Sequence, residues 1–418
     1  MKQFKLKAAA AAVAAVGLGA VHTAANAAAF FLPYQGASGV GNSLAGSAAL
    51  GEDASTVFFN PAGMSRIQTG QVSIAGHYID PSFKYTDTGS TGPAAFTGGN
   101  GGSFVPNSAL PALFAVIPLN KWRFGLGISA PWGSQTDYAA GWRGRFQADF
   151  TEVKTININP SVSYEFAPWV SAGFGLNYLK ADAEIERSQL LGGPSEGRVV
   201  LTGKDSALGY NFGVLVNLSE ATRVGVSYRS RVDLDLSGRQ TVTLASGGVA
   251  QAFDIRADLS LPAISQLSVV HALNDRWTLL GDLSYYQWSS IQNLTPRNAS
   301  TGAPSPSLDL NFRDTKRVSA AVNYRLNDAW LIRAGLAWDQ APVGNAEART
   351  ANQPDSDRTW VSLGARWDVS AAHRMDFAYA FVSLAPSSVN HTVTNGGTLR
   401  GEYDNSAHIL AAQYTFSW

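Results

Sequence analysis

The sequence predicts an all-β chain, a transmembrane antiparallel β-barrel of about 14 strands with an N-terminal hatch, or plug, in its lumen. Three observations predict it. The last eleven residues, His408 to Trp418, put Leu410, Tyr414 and Phe416 on one face and Gln413, Thr415 and Ser417 on the other, the alternation of a strand between lipid and a wet interior. Beyond the N-terminal segment, no stretch approaches the roughly 18 uninterrupted apolar residues of a membrane helix, so a membrane chain of this kind must cross as strands. Short polar turns recur at about 43 to 55 residues, room for two strands and a longer loop on the opposite side. A soluble sandwich also alternates, so the C-terminal strand alone does not decide the class.

Composition agrees with that class. The 41 Gly, 14 Tyr, 11 Trp and 20 Phe suit strands, tight turns and aromatic girdles better than a helical core. Cys is absent, which removes disulfides and thiolate metal sites. With 31 basic and 31 acidic residues, nothing points to nucleic acid. The 418 residues could hold two ordinary domains or one large barrel.

In chain order, Lys2, Lys5 and Lys7 precede an Ala/Val/Leu run and Ala25-Asn26-Ala27, the pattern of a secretory signal over residues 1–27. Residues 28–69 are rich in Gly, Ala and Ser and close on Asn60-Pro61-Ala62, before the first alternating run at Val72. A fourteen-stranded barrel encloses more space than its side chains fill, so this segment is expected inside the lumen; a disordered periplasmic tail is the alternative. Gly36, Gly39 and Gly41 lack the preceding strand and the spacing of a phosphate loop. Residues 70–418 form the barrel. Its short turns are 119–122, 166–169, 218–221, 273–276, 326–329 and 369–372. Six turns and seven long loops give thirteen connections and hence fourteen strands. Trp122, Trp169, Trp277 and Trp330 follow turns and are expected as anchors at the inner membrane interface.

Several segments resemble the FadL family of outer-membrane transporters for long-chain fatty acids and other hydrophobic compounds. They are Asn60-Pro61-Ala62, Gly141-Trp142-Arg143-Gly144-Arg145-Phe146 followed by Asn157-Ile158-Asn159-Pro160-Ser161-Val162, and Leu261-Pro262-Ala263. Asp275-Arg276-Trp277 with Trp288-Ser289, Phe312-Arg313-Asp314, and Pro342-Val343 with Pro354 to Arg358 complete the set. The resemblance implies a fourteen-stranded barrel with a hatch, in the outer membrane of a Gram-negative bacterium. It further implies passive uptake: capture in an outer groove near a third extracellular loop, matched here to residues 131–154, transfer to an inner pocket, and lateral release beside a kinked third strand once the hatch rearranges. Asn60, Pro61 and Ala62 would close the hatch. Gly125 and Gly127 would carry the kink, although both also read as small lumen-facing residues. Trp132, Trp142, Phe146 and Phe150 are assigned to the outer groove from their location. Expected partners are a long-chain fatty acid or another hydrophobic small molecule, outer-membrane lipid and lipopolysaccharide, and the barrel-assembly machinery through the C-terminal aromatic. Trp418 stands where many such barrels end in Phe. No cofactor and no metal are expected.

A fatty acid is held by area, a dozen methylenes contributing on the order of 10 kcal/mol before ordering costs, while its carboxylate needs a basic partner, preferably Arg. Arg145 and Arg313 match basic pocket positions of the family. If Val318, Ala320, Val322 and Tyr324 face lipid, alternation carries Arg317, Thr315 and Arg313 to the lumen. The alternative for each arginine is a brace paired with an acid. Asp355, Asp357 and Arg358 read as a salt-bridged loop rather than a calcium site. The scattered His77, His271, His373, His391 and His408 give no catalytic or metal-ligand spacing, so an enzyme is not expected. A diffusion porin would need an open lumen, and a receptor or adhesin role would add to transport. Within transport, aromatic or other neutral hydrocarbons are the alternative cargo, and they need no arginine.

Overall fold

A computed structural model describes residues 29–92, 97–191, 195–394 and 396–418. The proposed signal segment, 1–27, lies outside the described residues. Fourteen antiparallel strands close into one barrel. They are β1 (Gln71–Asp87), β2 (Ser108–Leu119), β3 (Trp122–Ser129, resumed at Gly133–Asp137), β4 (Phe150–Ala167), β5 (Val170–Leu190), β6 (Glu196–Asn217) and β7 (Thr222–Arg229, resumed at Val232–Leu244). The second half comprises β8 (Val249–Leu261, resumed at Ile264–Ala272), β9 (Trp277–Tyr286), β10 (Thr315–Arg325), β11 (Trp330–Asp339), β12 (Arg358–Asp368), β13 (His373–Leu384, resumed at Ser387–Val393) and β14 (Gly397–Ser417). β14 pairs with β1 from Gln71↔Ser417 to Asp87↔Gly401, so the sheet has no free edge.

All six expected turns join consecutive strands. Alternation sets the faces as expected: on β5 Phe174, Leu176 and Tyr178 point outward while Ser171, Asn177 and Leu179 are buried, and on β14 Leu410 and Tyr414 are exposed while Gln413 and Thr415 are not. Leu119, Trp122, Phe166, Trp169, Leu218, Leu273, Trp277 and Leu326 are all exposed beside the turns, forming an apolar girdle at that end of the barrel.

The opposite end departs from seven long loops. β5 and β6 are 21 and 22 residues long, about twice what a tilted crossing requires, and meet through residues 191–195. β7 and β8 meet through a tight turn at 245–248. There the extra length becomes ladder that rises beyond the membrane. Residues 131–154 therefore belong to the second extracellular connection, between β3 and β4, and not to the third.

Inside the barrel, three short helices, α1 (Ala37–Gly41), α2 (Ser47–Leu50) and α3 (Thr56–Phe59), and a 3-10 turn at Pro61–Arg66 fold the N-terminal segment into a compact body. Gly46 and Gly51 flank α2 with φ of 74° and 53°, the left-handed values that let so short a helix turn at both ends. This body bonds to strands on opposite sides of the barrel, so it fills the lumen.

Candidate functional site

The hatch docks against glycines. A Cβ on Gly173 of β5 would fall 2.5 Å from the Ala62 nitrogen. One on Gly213 of β6 would overlap the Asn60 side chain, and one on Gly225 of β7 the Ala48 carbonyl. Gly335 and Gly364 give the same room to Asn42 and Gly41. Because these strands lack side chains at the contact, the hatch reaches their backbone. The Asn60 Nδ2 donates to the carbonyls of Ala48 at 2.6 Å, Val214 at 3.2 Å and Val226 at 3.4 Å, while its Oδ1 accepts from the Ala62 amide at 3.0 Å. Proline follows because N1 of the 3-10 turn needs no donor. The Asn-Pro-Ala sequence thus pins the hatch to β6 and β7.

Charge holds the other side. Glu52 Oε1 meets Arg333 Nη2 of β11 at 2.7 Å, and Arg333 Nη1 meets Asp376 of β13 at the same distance. Arg366 Nη1 lies 3.6 Å from Glu52 Oε2, and Arg374 Nη1 donates to the Glu52 carbonyl at 2.8 Å. Burial by itself would raise the Glu52 carboxyl, but Arg333, Arg366 and Arg374 outweigh it and hold the group below the usual carboxylate range. Arg123, Arg317 and Arg229 donate to the hatch carbonyls of Ile67, Ser43 and Phe58.

Above the hatch, β3 is interrupted at Ala130-Pro131-Trp132, where the proline ends the ladder. β2 pairs with β3 only from Leu113↔Ile128 onward, and Gly133–Asp137 pairs with β4 alone, so Ser108 to Ala112 have no β3 partner. The N-terminal residues cover this break. The Leu32 amide donates to the Pro131 carbonyl, the Gly133 amide to the Phe30 carbonyl, both at 2.8 Å, and the Gln35 carboxamide to the Ala130 carbonyl at 3.1 Å. Phe30 and Phe31 fill an aromatic nest: Phe30 lies 5.1 Å from Trp288 and 6.0 Å from Trp132, and Phe31 lies 4.8 Å from Trp132 and 5.6 Å from Tyr286. Phe312, Leu310, Leu261 and Ile264 continue the same apolar cluster. On the lipid face near the unpaired end of β2, Gly76, Pro111 and Ala412 form the floor of a furrow of about 950 Å³ bordered by Tyr78, Phe377 and Leu410.

The expected site residues distribute over this architecture unevenly. Asn60, Pro61 and Ala62 lie at the hatch contact just described. Gly125 and Gly127 stand within the regular ladder opposite Ser161 and Asn159; a Cβ on Gly125 would strike Met64 and one on Gly127 would crowd Phe114, so they make room for packing, and the irregularity falls at 130–132 instead. Trp132, Trp142 and Phe146 are buried and do not share one open groove: Trp132 belongs to the nest, whereas Trp142 stacks on Tyr138 at 3.7 Å in a second cluster with Tyr85. Phe150 opens β4 opposite Asp137 and Glu186.

Arg145 is engaged by Glu196 through Nε at 2.9 Å and Nη2 at 2.6 Å, and also donates to the Thr97 and Trp142 carbonyls. That two-pronged bond holds the Glu196 carboxyl below its usual range. Arg313 precedes the first residue of β10, so alternation does not reach it; its side chain is exposed, and Nε donates to the Ala341 carbonyl at 3.4 Å. Arg317, two steps into the strand, is the buried arginine of β10 and faces the lumen. Asp355 and Arg358 form the expected buried ion pair at 2.5 Å, and the second Asp355 oxygen accepts from the Ala29 amide at 2.7 Å, which ties the N-terminal segment to the loop between β11 and β12.

Arg229 of β7 was not among the expected residues. Its Nη1 donates to Asn177 Oδ1 at 2.6 Å, its guanidinium lies 4.4 Å from the Phe58 ring centre, and it lines a small cavity with Phe31, Tyr286 and Arg317. Asn177 and Asn159 both donate to Asn211 at 3.0 Å, which makes a polar patch beside it. The signal was present: Val224, Val226 and Tyr228 alternate outward, which turns Ser227 and Arg229 inward.

The comparisons with known proteins bear on what such a plugged, side-broken barrel is for. The family model described as outer membrane protein transport protein (OMPP1/FadL/TodX) matches residues 18–418. Outer membrane protein P1 of Haemophilus influenzae is 31% identical over 401 residues, covering 86% of each chain. The long-chain fatty acid transport protein of Escherichia coli K12 is 25% identical over 447 aligned positions, covering 97% of each. The crystal structure of a Pseudomonas aeruginosa FadL homologue superposes with a TM-score of 0.86 at 24% identity, covering 93% of this chain and all of that one, so the fold is shared. Members of the family are transport channels and not enzymes. The chain belongs to the OMPP1/FadL/TodX family of outer-membrane transport proteins, which carry hydrophobic compounds.

Proposed function

We propose that the protein takes up long-chain fatty acids passively, by capture at the extracellular loops, transfer to the apolar space now filled by Phe30 and Phe31, and release through the break in β3 into the bilayer. One observation carries the reading: the consecutive residues Phe30, Phe31 and Leu32 fill the aromatic nest with the two phenylalanine rings and bond the broken strand through the Phe30 carbonyl and the Leu32 amide. A cargo that displaces them from the nest therefore also uncovers the wall. Withdrawing two phenylalanines costs roughly 3–6 kcal/mol of burial, whereas an acyl chain of a dozen methylenes returns on the order of 10 kcal/mol, so a long chain can win the exchange. The furrow over Gly76 and Ala412 offers an apolar surface on which the chain can continue into lipid.

For the carboxylate, Arg229 is the better candidate of the arginines considered. Arg145 is committed to Glu196, and Arg313 is exposed ahead of the first residue of β10. Among the described residues Arg229 is hydrogen-bonded by neutral groups only, Asn177 and the Phe58 carbonyl, and it sits at the lower end of the nest. A nest of Trp132, Trp288, Tyr286 and Phe312 equally suits a neutral aromatic hydrocarbon, which is the second reading. Binding of oleate and of toluene to the purified protein, compared with Arg229→Gln and Arg313→Ala, tests it. Oleate affinity is expected to fall about tenfold in Arg229→Gln alone, with toluene unchanged. Toluene binding without oleate binding would transfer the protein to the hydrocarbon reading.

A further inference from the structure

Beside the break in the wall stands a buried histidine that the transport path described above leaves unused. His77 of β1 lies opposite Leu110, in the part of β2 that has no β3 partner, and opposite Ala411 of β14. Its neighbours Gly76 and Tyr78 border the lipid-facing furrow, so alternation turns its own side chain inward, where it is 2% exposed. Nδ1 lies 3.1 Å from the Leu110 carbonyl. A carbonyl only accepts, so Nδ1 carries the hydrogen, and in the neutral ring Nε2 is left as an acceptor. Among the described residues that nitrogen is buried and closes no hydrogen bond.

The lumen side of the ring is covered by the strap that joins the aromatic nest to α1. The Tyr34 ring lies 6.1 Å away, and the Gly36 backbone runs beside the imidazole. Gln35, between them, donates its amide to the carbonyls of Leu32 and Ala130 and keeps a buried Oε1 without a donor. The strap thus crosses the break, from Ala130 at the end of the first stretch of β3 to His77 of β1. The residues that face the ring from the strap, β2 and β14 are Tyr34, Gly36, Leu110 and Ala411; Tyr34 is the titratable one, and no carboxylate or cation stands among them. Because the strap is continuous with Phe30 and Phe31, a cargo that lifts those rings also uncovers Nε2.

Lone pairs without donors discriminate among head groups. A carboxylate brings only more lone pairs, and the hydrocarbon beyond the break penalises its charge, whereas a group that carries its own hydrogen satisfies Nε2. We infer that His77 is the residue at which a long-chain carboxylic acid receives the proton with which it leaves through the wall. The imidazole takes a proton from the extracellular medium at Nε2; the Nε2–H bond then breaks as a carboxylate oxygen forms its O–H bond, and the neutral acid enters the furrow while a neutral ring remains. One carboxylate and one proton go in, and one carboxylic acid comes out. The inference rests on the fatty-acid reading above and its lateral release, and it adds the form in which the cargo departs and the residue that selects that form.

Uptake by cells lacking their own transporter of this kind tests it, with radiolabelled palmitate and the corresponding fatty alcohol as cargo. His77→Gln keeps a hydrogen-bonding side chain that cannot relay a proton, and His77→Val suits a strand and removes both properties. At about pH 8 the maximal rate of palmitate uptake is expected to fall about tenfold in either variant with the alcohol unchanged, and the loss should shrink toward about pH 5, where the carboxyl takes its proton from the medium. The dissociation constant of palmitate for the purified variants should stay at the wild-type value, since the nest and Arg229 are untouched. Undiminished palmitate uptake at about pH 8 in a variant that assembles, or equal loss of palmitate and alcohol, would overturn the inference and make His77 a part of the wall, with the fatty-acid reading left standing. Wild-type uptake of the alcohol with none of palmitate would overturn both.

Discussion

Asn60 and Gly213 show how single residues settle whether this barrel is shut. Asn60 is fully buried and satisfies three carbonyls with one carboxamide, a contact that exists only because Gly213 has no side chain in its way. Replacing Asn60 by Ala leaves buried acceptors unpaired at about 1–3 kcal/mol, which the hatch rather than the barrel has to absorb. Gly213→Ala reaches the same outcome from the wall. Both variants are expected to retain a heat-resistant barrel on electrophoresis and to raise single-channel conductance in planar bilayers; a wild-type conductance would show that the motif does not hold the hatch. At this scale, alternation in sequence located the lumen faces of β10 and β14 correctly but does not extend to Arg313, because the first residue of β10 is Thr315 and two-residue periodicity ends where the strand does.

Elements carry the asymmetry of the docking. On the β6 and β7 side the hatch is held by the Asn60 carboxamide on strand carbonyls and by Arg229 and Arg223 on hatch carbonyls, and on the β11 to β13 side by the Glu52 carboxylate with Arg333, Arg366 and Arg374. The Glu52 carboxyl is lowered in the docked state, so its contribution is fully present above the ordinary carboxylate range and is lost as pH falls through the depressed value. Hydrogen exchange of hatch amides is therefore expected to accelerate at acid pH in the wild type, and Glu52→Gln to show faster exchange already at neutral pH with a weaker acid dependence. An exchange rate flat in pH for the wild type would refute the latch. The six turns that frame the strands are local in sequence and were legible there. The break in β3 was not placed correctly, because Gly125 and Gly127 draw attention as glycines while Pro131, which lacks an amide donor, does the breaking.

At the scale of the whole molecule, wall and plug divide the work. The barrel is closed by β1 and β14 without help from the hatch, since that ladder runs unbroken from Gln71 to Asp87. Deleting residues 29–62 should therefore leave a folded barrel that conducts, whereas the intact protein conducts little. Planar-bilayer recordings of the two forms check this, and equal conductance would mean that the hatch does not seal the lumen.

The class, the strand count, the turns and the lumen segment follow from the sequence by itself, because two-residue alternation, polar turns and apolar length are local properties that the chain displays in order. Which side chains meet does not follow. Phe30 and Phe31 reach Trp132, Trp288 and Tyr286 across more than a hundred residues of chain, Glu52 reaches Arg333, and Arg145 is taken by Glu196. Only closure of the barrel around its own N-terminal segment decided those pairings, since strand registers and the depth of the hatch fix distances that no spacing in the sequence records.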